Sequence, residues 1–139
     1  MKYLLDTNIV SEPLRPAPNK LVLTLLRRHA EELAIASVAW HELWFGCLRL
    51  PISARRSAIE RYLTEVVELS IPIVAYDARA AAWHAAERAR LGARGSTPPF
   101  VDGQIAAIAA TNELVLVTRN SADYTLFQGL KIEDWNGAA

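Results

Sequence analysis

Leu33-Ala34-Ile35-Ala36-Ser37-Val38-Ala39-Trp40-His41-Glu42 passes from an apolar run of strand length directly into residues with helical spacing. Runs of the same kind stand at Lys2-Tyr3-Leu4-Leu5, Ile71-Pro72-Ile73-Val74-Ala75 and Leu114-Val115-Leu116-Val117, with a fainter one at Leu130-Lys131-Ile132-Glu133. Helical spacing, rich in Ala, Leu, Arg and Glu, occupies residues 18–31, 38–49, 53–68, 77–92 and 99–112. The order is strand then helix, repeated. Apolar strands without in–out alternation, joined by crossovers of helix length, predict an α/β domain with a mainly parallel sheet covered on both faces.

The 139 residues, 52% hydrophobic and 22% charged, suit one compact domain over 1–139 and argue against disorder. Pro16, Pro18 and Pro51 mark loops, and Gly92-Ala93-Arg94-Gly95-Ser96-Thr97-Pro98-Pro99 is the clearest connector, but neither shifts composition as a domain boundary would. A single cysteine, Cys47, excludes an internal disulfide framework and points to a reducing, cytoplasmic setting. The N-terminus places Asp6 too early for a signal-peptide core, and no apolar stretch reaches membrane-span length, so no membrane is expected as a partner. Fifteen basic residues balance fifteen acidic ones, which argues against binding nucleic acid by overall charge. A local basic surface stays open, because residues 49–94 carry eight arginines against five acids.

Acids in apolar surroundings carry the chemistry, since a carboxylate taken out of water costs several kcal/mol unless donors or a cation compensate it. Asp6 follows the first strand, at the edge where open α/β sheets place ligands, or else caps the segment from Thr7-Asn8. Glu42 has Val38 four residues before it and Phe45 three after, with Ser37 as expected helix cap. Asp102 shares a helix face with Ile105, Ala106 and Ala109, or serves the dipole of the helix's first turn. Thr118-Arg119-Asn120-Ser121-Ala122-Asp123-Tyr124 offers varied polar groups after a strand, or an ordinary capped turn with Asp123 in a short helix. Asp77 reads as a helix cap, and His29, His41 and His84 carry less weight. Four acids at one sheet edge cannot all stay ionised without a cation, and an all-oxygen donor set suits Mg²⁺ or Mn²⁺. Trp40, Trp44, Phe45 and Leu48 spread apolar groups over more than one side of their helix, as core packing or burial by a partner requires.

Leu4-Leu5-Asp6-Thr7-Asn8, Ser11-Glu12-Pro13-Leu14-Arg15-Pro16, Glu42, Asp102 with Ala106-Ala109-Ala110, and Thr118-Arg119-Asn120 together resemble a PIN-domain ribonuclease of the VapC toxin family, nearest its FitB-like branch. The resemblance runs over nearly the whole chain. It implies a three-layer domain with sheet order 3-2-1-4-5, an acidic metal pocket, a homodimer, RNA as substrate and neutralisation by a small VapB-like antitoxin. Asp6, Glu42 and Asp102 map onto the family's three recurrent acids. Where many relatives carry a fourth acid, this chain has Asn120, with Asp123 three residues on, so either side chain completes the site.

The expected chemistry is hydrolysis of a phosphodiester by water, with Asp6, Glu42 and Asp102 holding Mg²⁺ or Mn²⁺ and Asp123 as a further catalytic candidate. Thr7, Asn8, Thr118, Arg119 and Asn120 are the candidates to position water or phosphate. A phospho-accepting receiver domain fits poorly, because the first strand ends in one acid rather than a pair, and a haloacid-dehalogenase-like phosphatase would need an acid at Asn8. No Walker-type loop is present. The alternative of another class is a non-enzymatic binding module whose acidic pocket accepts an arginine from a partner.

Overall fold

The computed structural model describes residues 1–136, so the last three residues of the expected domain lie outside the described part. Strands β1 (Tyr3–Leu5), β2 (Leu33–Ala36), β3 (Ile73–Val74), β4 (Val115–Val117) and β5 (Ile132–Glu133) form one sheet in the order β3-β2-β1-β4-β5. Every pairing is parallel. Both the α/β class and the strand order therefore stand as expected. All residues of β1 and β2 are buried, which requires cover on both faces of the sheet. The helices supply it: α1 (Thr7–Val10), α2 (Lys20–Arg28), α3 (Ser37–Leu48), α4 (Ala54–Arg61), α5 (Glu68–Ser70), α6 (Ala78–Ala93) and α7 (Phe100–Thr111). The core centres on Leu4, Leu5, Ile35, Ile105, Ile108 and Leu116, all nearly or wholly excluded from solvent. No helix among the described residues is long and apolar enough to cross a membrane.

Side-chain caps start several helices. The Asn19 carboxamide oxygen accepts from the Val22 N–H at 3.0 Å, and Asp77 accepts from Ala80 at 2.9 Å, the latter as expected. Ser37 does not cap α3. Strand β2 runs into the helix without an intervening residue, so Ala36 takes the cap position and Ser37 is already helical. The Ser37 hydroxyl instead accepts from the Tyr76 N–H at 3.2 Å, fastening the start of α3 to the segment after β3. The helix expected over 53–68 is interrupted: a π-helical turn, Tyr62–Val67, separates α4 from α5. It carries the Tyr62 hydroxyl to the Val10 carbonyl, to which it donates at 2.6 Å.

Helices α6 and α7 lie antiparallel. Arg79, early in α6, donates to the Thr111 carbonyl at the end of α7, while Arg88 stands 5.1 Å from the Phe100 ring at its beginning. The buried Glu87 of α6 accepts from Arg90 Nε and Nη2 at 2.7 and 2.9 Å and from the Gln128 N–H at 2.7 Å. It thereby ties the chain beyond β4 onto the domain.

Candidate active site

Register builds the site. Leu5 aligns with Ile35 of β2 and Val117 of β4, so Asp6 and Thr118 leave the sheet side by side at its carboxyl edge. The chain order departs in both directions from β1, which makes this edge the switch point of the topology. Asp6 is only 6% exposed, and four donors converge on it. Oδ1 accepts from the Thr7 N–H at 2.8 Å and the Thr7 hydroxyl at 3.2 Å; Oδ2 accepts from the Thr118 hydroxyl at 2.9 Å and the Tyr124 hydroxyl at 3.4 Å. The capping role and the place at the ligand edge thus belong to the same carboxylate. Its donors offset the cost of holding a charge out of water.

Helix α3 brings Glu42 and the first turn of α7 brings Asp102 toward Asp6. Loss of water is the main cause that pushes the Glu42 carboxyl up, followed by repulsion from Asp6 and Asp102. Asp102 is likewise raised by burial first, then by Asp6 and Asp123, against a lowering hydrogen bond from Tyr124. Three acids from three separate elements therefore feel one another's charge. Glu42 is exposed, has no ion-pair partner among the described residues, and borders a hollow of about 450 Å³ with Val38, His41, Phe45, Val101 and Gln104.

Asp102 is held from behind by a close approach of helices. A Cβ at Gly103 would stand 2.2 Å from Nε2 of the buried His84, so only glycine permits this spacing. His84 Nδ1 lies 2.8 Å from the Tyr76 hydroxyl, and the Tyr76 N–H reaches Ser37. One line of contacts thus links the helix bearing Asp102 to the helix bearing Glu42.

The remaining candidates divide. Thr7 and Thr118 direct their hydroxyl protons at Asp6, and Thr118 also accepts from the Asn120 N–H at 3.0 Å. Asn120 and Asp123 are exposed, and the charge of Asp123 still reaches Asp102. Arg119 stands 3.5 Å from Oε2 of Glu12, a carboxylate only 2% exposed that also accepts from Arg15 at 3.3 Å and the Asn19 N–H at 3.1 Å. Trp40 and Trp44 pack edge to face at 6.0 Å against the core, leaving Phe45 and Leu48 exposed. Tyr124, through Asp6, and His84, through Gly103, also bear on the site, and no local pattern marks either, since each acts on a residue distant in the chain.

The donor set suits a hard divalent cation: all oxygen, anionic and mutually repelling, with the Asn8 side-chain oxygen two residues from Asp6 buried without a donor. Among the described residues, no three Asp, Glu, His or Cys side chains stand close enough together to hold an ion as they lie. The acids are coupled through charge, Glu42 exposed and Asp102 half-buried, while Asp6 is fixed by its four donors.

The PIN domain model matches residues 3–124. The chain belongs to the PIN-domain family. It is 30% identical over 137 residues to the tRNA(fMet)-specific endonuclease VapC of Shigella flexneri, covering 98% of this chain and 99% of that protein. It is 30% identical over 127 residues to toxin FitB of Neisseria gonorrhoeae, covering 87% and 89%. The crystal structure of FitAcB from Neisseria gonorrhoeae superposes with a TM-score of 0.88 at 27% identity, covering 96% of this chain and 97% of that one. The expected VapC and FitB kinship is thus found in the PIN family, over nearly the full length of the chain.

Proposed function

We propose that this PIN-domain chain is a metal-dependent endoribonuclease that hydrolyses RNA phosphodiester bonds as the toxin of a type II toxin–antitoxin pair. The observation that carries the reading is the donor-ringed Asp6 at the carboxyl edge of the sheet, whose charge, after burial, raises both Glu42 and Asp102. The relatives named as an endonuclease and a toxin support this substrate class and biological role.

Asp6, Glu42 and Asp102 would hold Mg²⁺ or Mn²⁺, which when bound supplies charge neutralisation and Lewis acidity at the phosphodiester. Thr7 and Thr118 orient Asp6. Arg119, steadied by Glu12, and the carboxamides of Asn8 and Asn120 face the substrate phosphate or the attacking water. Asp123 adds negative charge at the open side. Water is the nucleophile, so the RNA 2′-hydroxyl does not react and discrimination against DNA comes from binding. A VapB-like antitoxin is the cognate partner, the chain works as a cytoplasmic homodimer, and 1–139 is one domain.

The test is cleavage of a broad RNA pool by purified, antitoxin-free protein with Mg²⁺ or Mn²⁺. Cleavage that disappears with chelator and with Asp6→Asn is the expected result. A folded wild-type chain that cuts nothing under these conditions refutes the enzyme and leaves the arginine-accepting binding module in its place.

A further inference from the structure

Two guanidinium groups meet on one buried carboxylate beside the acidic site. Glu12, in the short turn after α1, is 2% exposed; its Oε1 accepts from the Asn19 N–H at 3.1 Å, and its Oε2 accepts from Nη1 of Arg15 and Nη1 of Arg119 at 3.3 and 3.5 Å. Two cations against one anion leave positive charge at this point. The chain also fixes where each cation starts. Arg119 follows the wholly buried Thr118, whose hydroxyl donates to Asp6, so it is rooted at the carboxyl edge of the sheet. Arg15 donates its own N–H to the Glu12 carbonyl at 3.1 Å and precedes Pro16, which favours the extended backbone it adopts at ψ 149°.

Other arginines of this molecule are spent on structure. Arg90 commits Nε and Nη2 to Glu87 at 2.7 and 2.9 Å, and Arg56 gives Nε to Glu60 at 2.8 Å and Nη1 to the Leu50 carbonyl at 3.1 Å. Arg15 and Arg119 each touch Glu12 through one nitrogen, beyond the usual N–H···O range, and have no other acceptor among the described residues. Their side chains are 53% and 27% exposed. The remaining donors of both planar forks are therefore open to an anion, and phosphate is the anion that such forks match. Arg15 further lines a hollow of about 380 Å³ with Leu43 and Gly46 of α3 and Arg55 of α4, and Arg55 has no ion-pair partner among the described residues. Helix α3 borders both this basic hollow and the one beside Glu42.

We infer that Arg15 and Arg119, gathered on Glu12, form a second phosphate subsite that grips the RNA backbone beside the scissile bond, with Glu12 as the positioning residue. The inference rests on the ribonuclease reading above and adds Arg15 and Glu12 to it. Phosphates repeat along a strand, so an RNA held at Asp6 presents a neighbouring phosphate to the rim of the site whatever its bases. Such a contact fixes position without reading sequence.

The experiment measures kcat and KM for cleavage of a short single-stranded RNA by full-length wild type, Arg15→Gln, Arg119→Gln, Glu12→Gln and Arg79→Gln, with saturating Mn²⁺ over a range of salt and with melting in parallel. Losing one phosphate contact on a single strand should lower the slope of log KM against log salt by about 0.7 and raise KM about fivefold near 0.1 M salt, in both Arg15→Gln and Arg119→Gln. Arg15→Gln should keep the wild-type kcat, because the phosphate it contacts does not react. Arg79 donates to the Thr111 carbonyl at the far end of α7 from Asp102, and its replacement should leave KM and slope unchanged. Glu12→Gln keeps an acceptor of the same shape and removes a negative charge. Charge alone would then tighten RNA binding, whereas loss of a positioning residue raises KM. Should Glu12→Gln unfold, the exposed Arg15 still decides the matter. A slope in Arg15→Gln equal to that of wild type overturns the inference and leaves the pair to an acidic protein segment or to fastening the loop; a lowered KM in Glu12→Gln overturns the positioning role. A folded wild type that cleaves no RNA overturns the ribonuclease reading and this inference together.

Discussion

Two groups of acids in this molecule meet the same physical problem in opposite ways. Glu87 on α6 is buried beside its own cation and donors: Arg90 holds its carboxyl below the usual carboxylate range, and the Gln128 N–H adds to the effect. Among the described residues Glu42 and Asp102 have no such cation; burial and neighbouring acids push both carboxyls up. An acid supplied with its counter-charge by the fold fastens structure. Acids set against one another without one keep uncompensated charge, at some expense in stability.

The comparison breaks most decisively at Asp6. Asp6→Asn should lower RNA cleavage by about a hundred- to a thousandfold, read from initial rates at saturating Mn²⁺, while circular dichroism stays that of a folded protein. If cleavage survives that change, the sheet-edge acids have no more chemical role than Glu87. Gly103→Ala tests the support behind Asp102. The new Cβ would meet His84 at 2.2 Å, and the strain should cost about 1–3 kcal/mol in urea unfolding, with Mn²⁺ affinity reduced as Asp102 shifts.

Glu87→Gln sharpens the other side. It removes one partner of a mostly buried ion pair and should destabilise by about 1–2 kcal/mol, leaving the cleavage rate of the folded fraction unchanged. The pH responses should also run in opposite directions. Glu87, lowered on folding, contributes stability that is present above the ordinary carboxylate range and is lost as pH falls through its depressed value. Glu42 and Asp102, raised on folding, bind protons more readily when folded, so metal-free stability declines as pH rises from that range through their elevated values. Melting in chelator between pH 4 and 8 should show a shallower decline above pH 5 in Asp102→Asn than in wild type, and Mn²⁺ should raise melting more at pH 7.5 than at pH 5. The smallest effect belongs to Asp123→Asn: exposed and acting only through its charge on Asp102, it should change cleavage by about fivefold or less.

Much of this was legible in the order of residues. Four largely apolar runs and the helical spacings between them point to the parallel sheet, because burial on both faces, as in β1 and β2, removes the alternation of a half-solvated strand. Asp6 was legible because an acid directly after such a strand has few other uses. Ser37 departs from the expected cap for a local reason: its hydroxyl has a distant backbone N–H available from Tyr76, and a local cap rule cannot weigh a partner 39 residues away. Tyr124, His84 and Gly103 were silent for the same reason, since each acts across elements whose separation no local spacing encodes.

The amino-acid order by itself determined the alternation of strands and helices, the placing of acids just past strand ends or in the turns of the helices beside them, and the oxygen-only chemistry of that acid set. These follow from hydrophobic periodicity and side-chain type, which act over a few residues. Only the tertiary structure decided which acids receive a counter-charge. Glu87 and Asp102 are both helical acids among apolar neighbours, and what separates them is an arginine three residues from one and two opposing carboxylates, distant in the chain, beside the other. Electrostatic free energy depends on distance through space, and folding alone sets those distances.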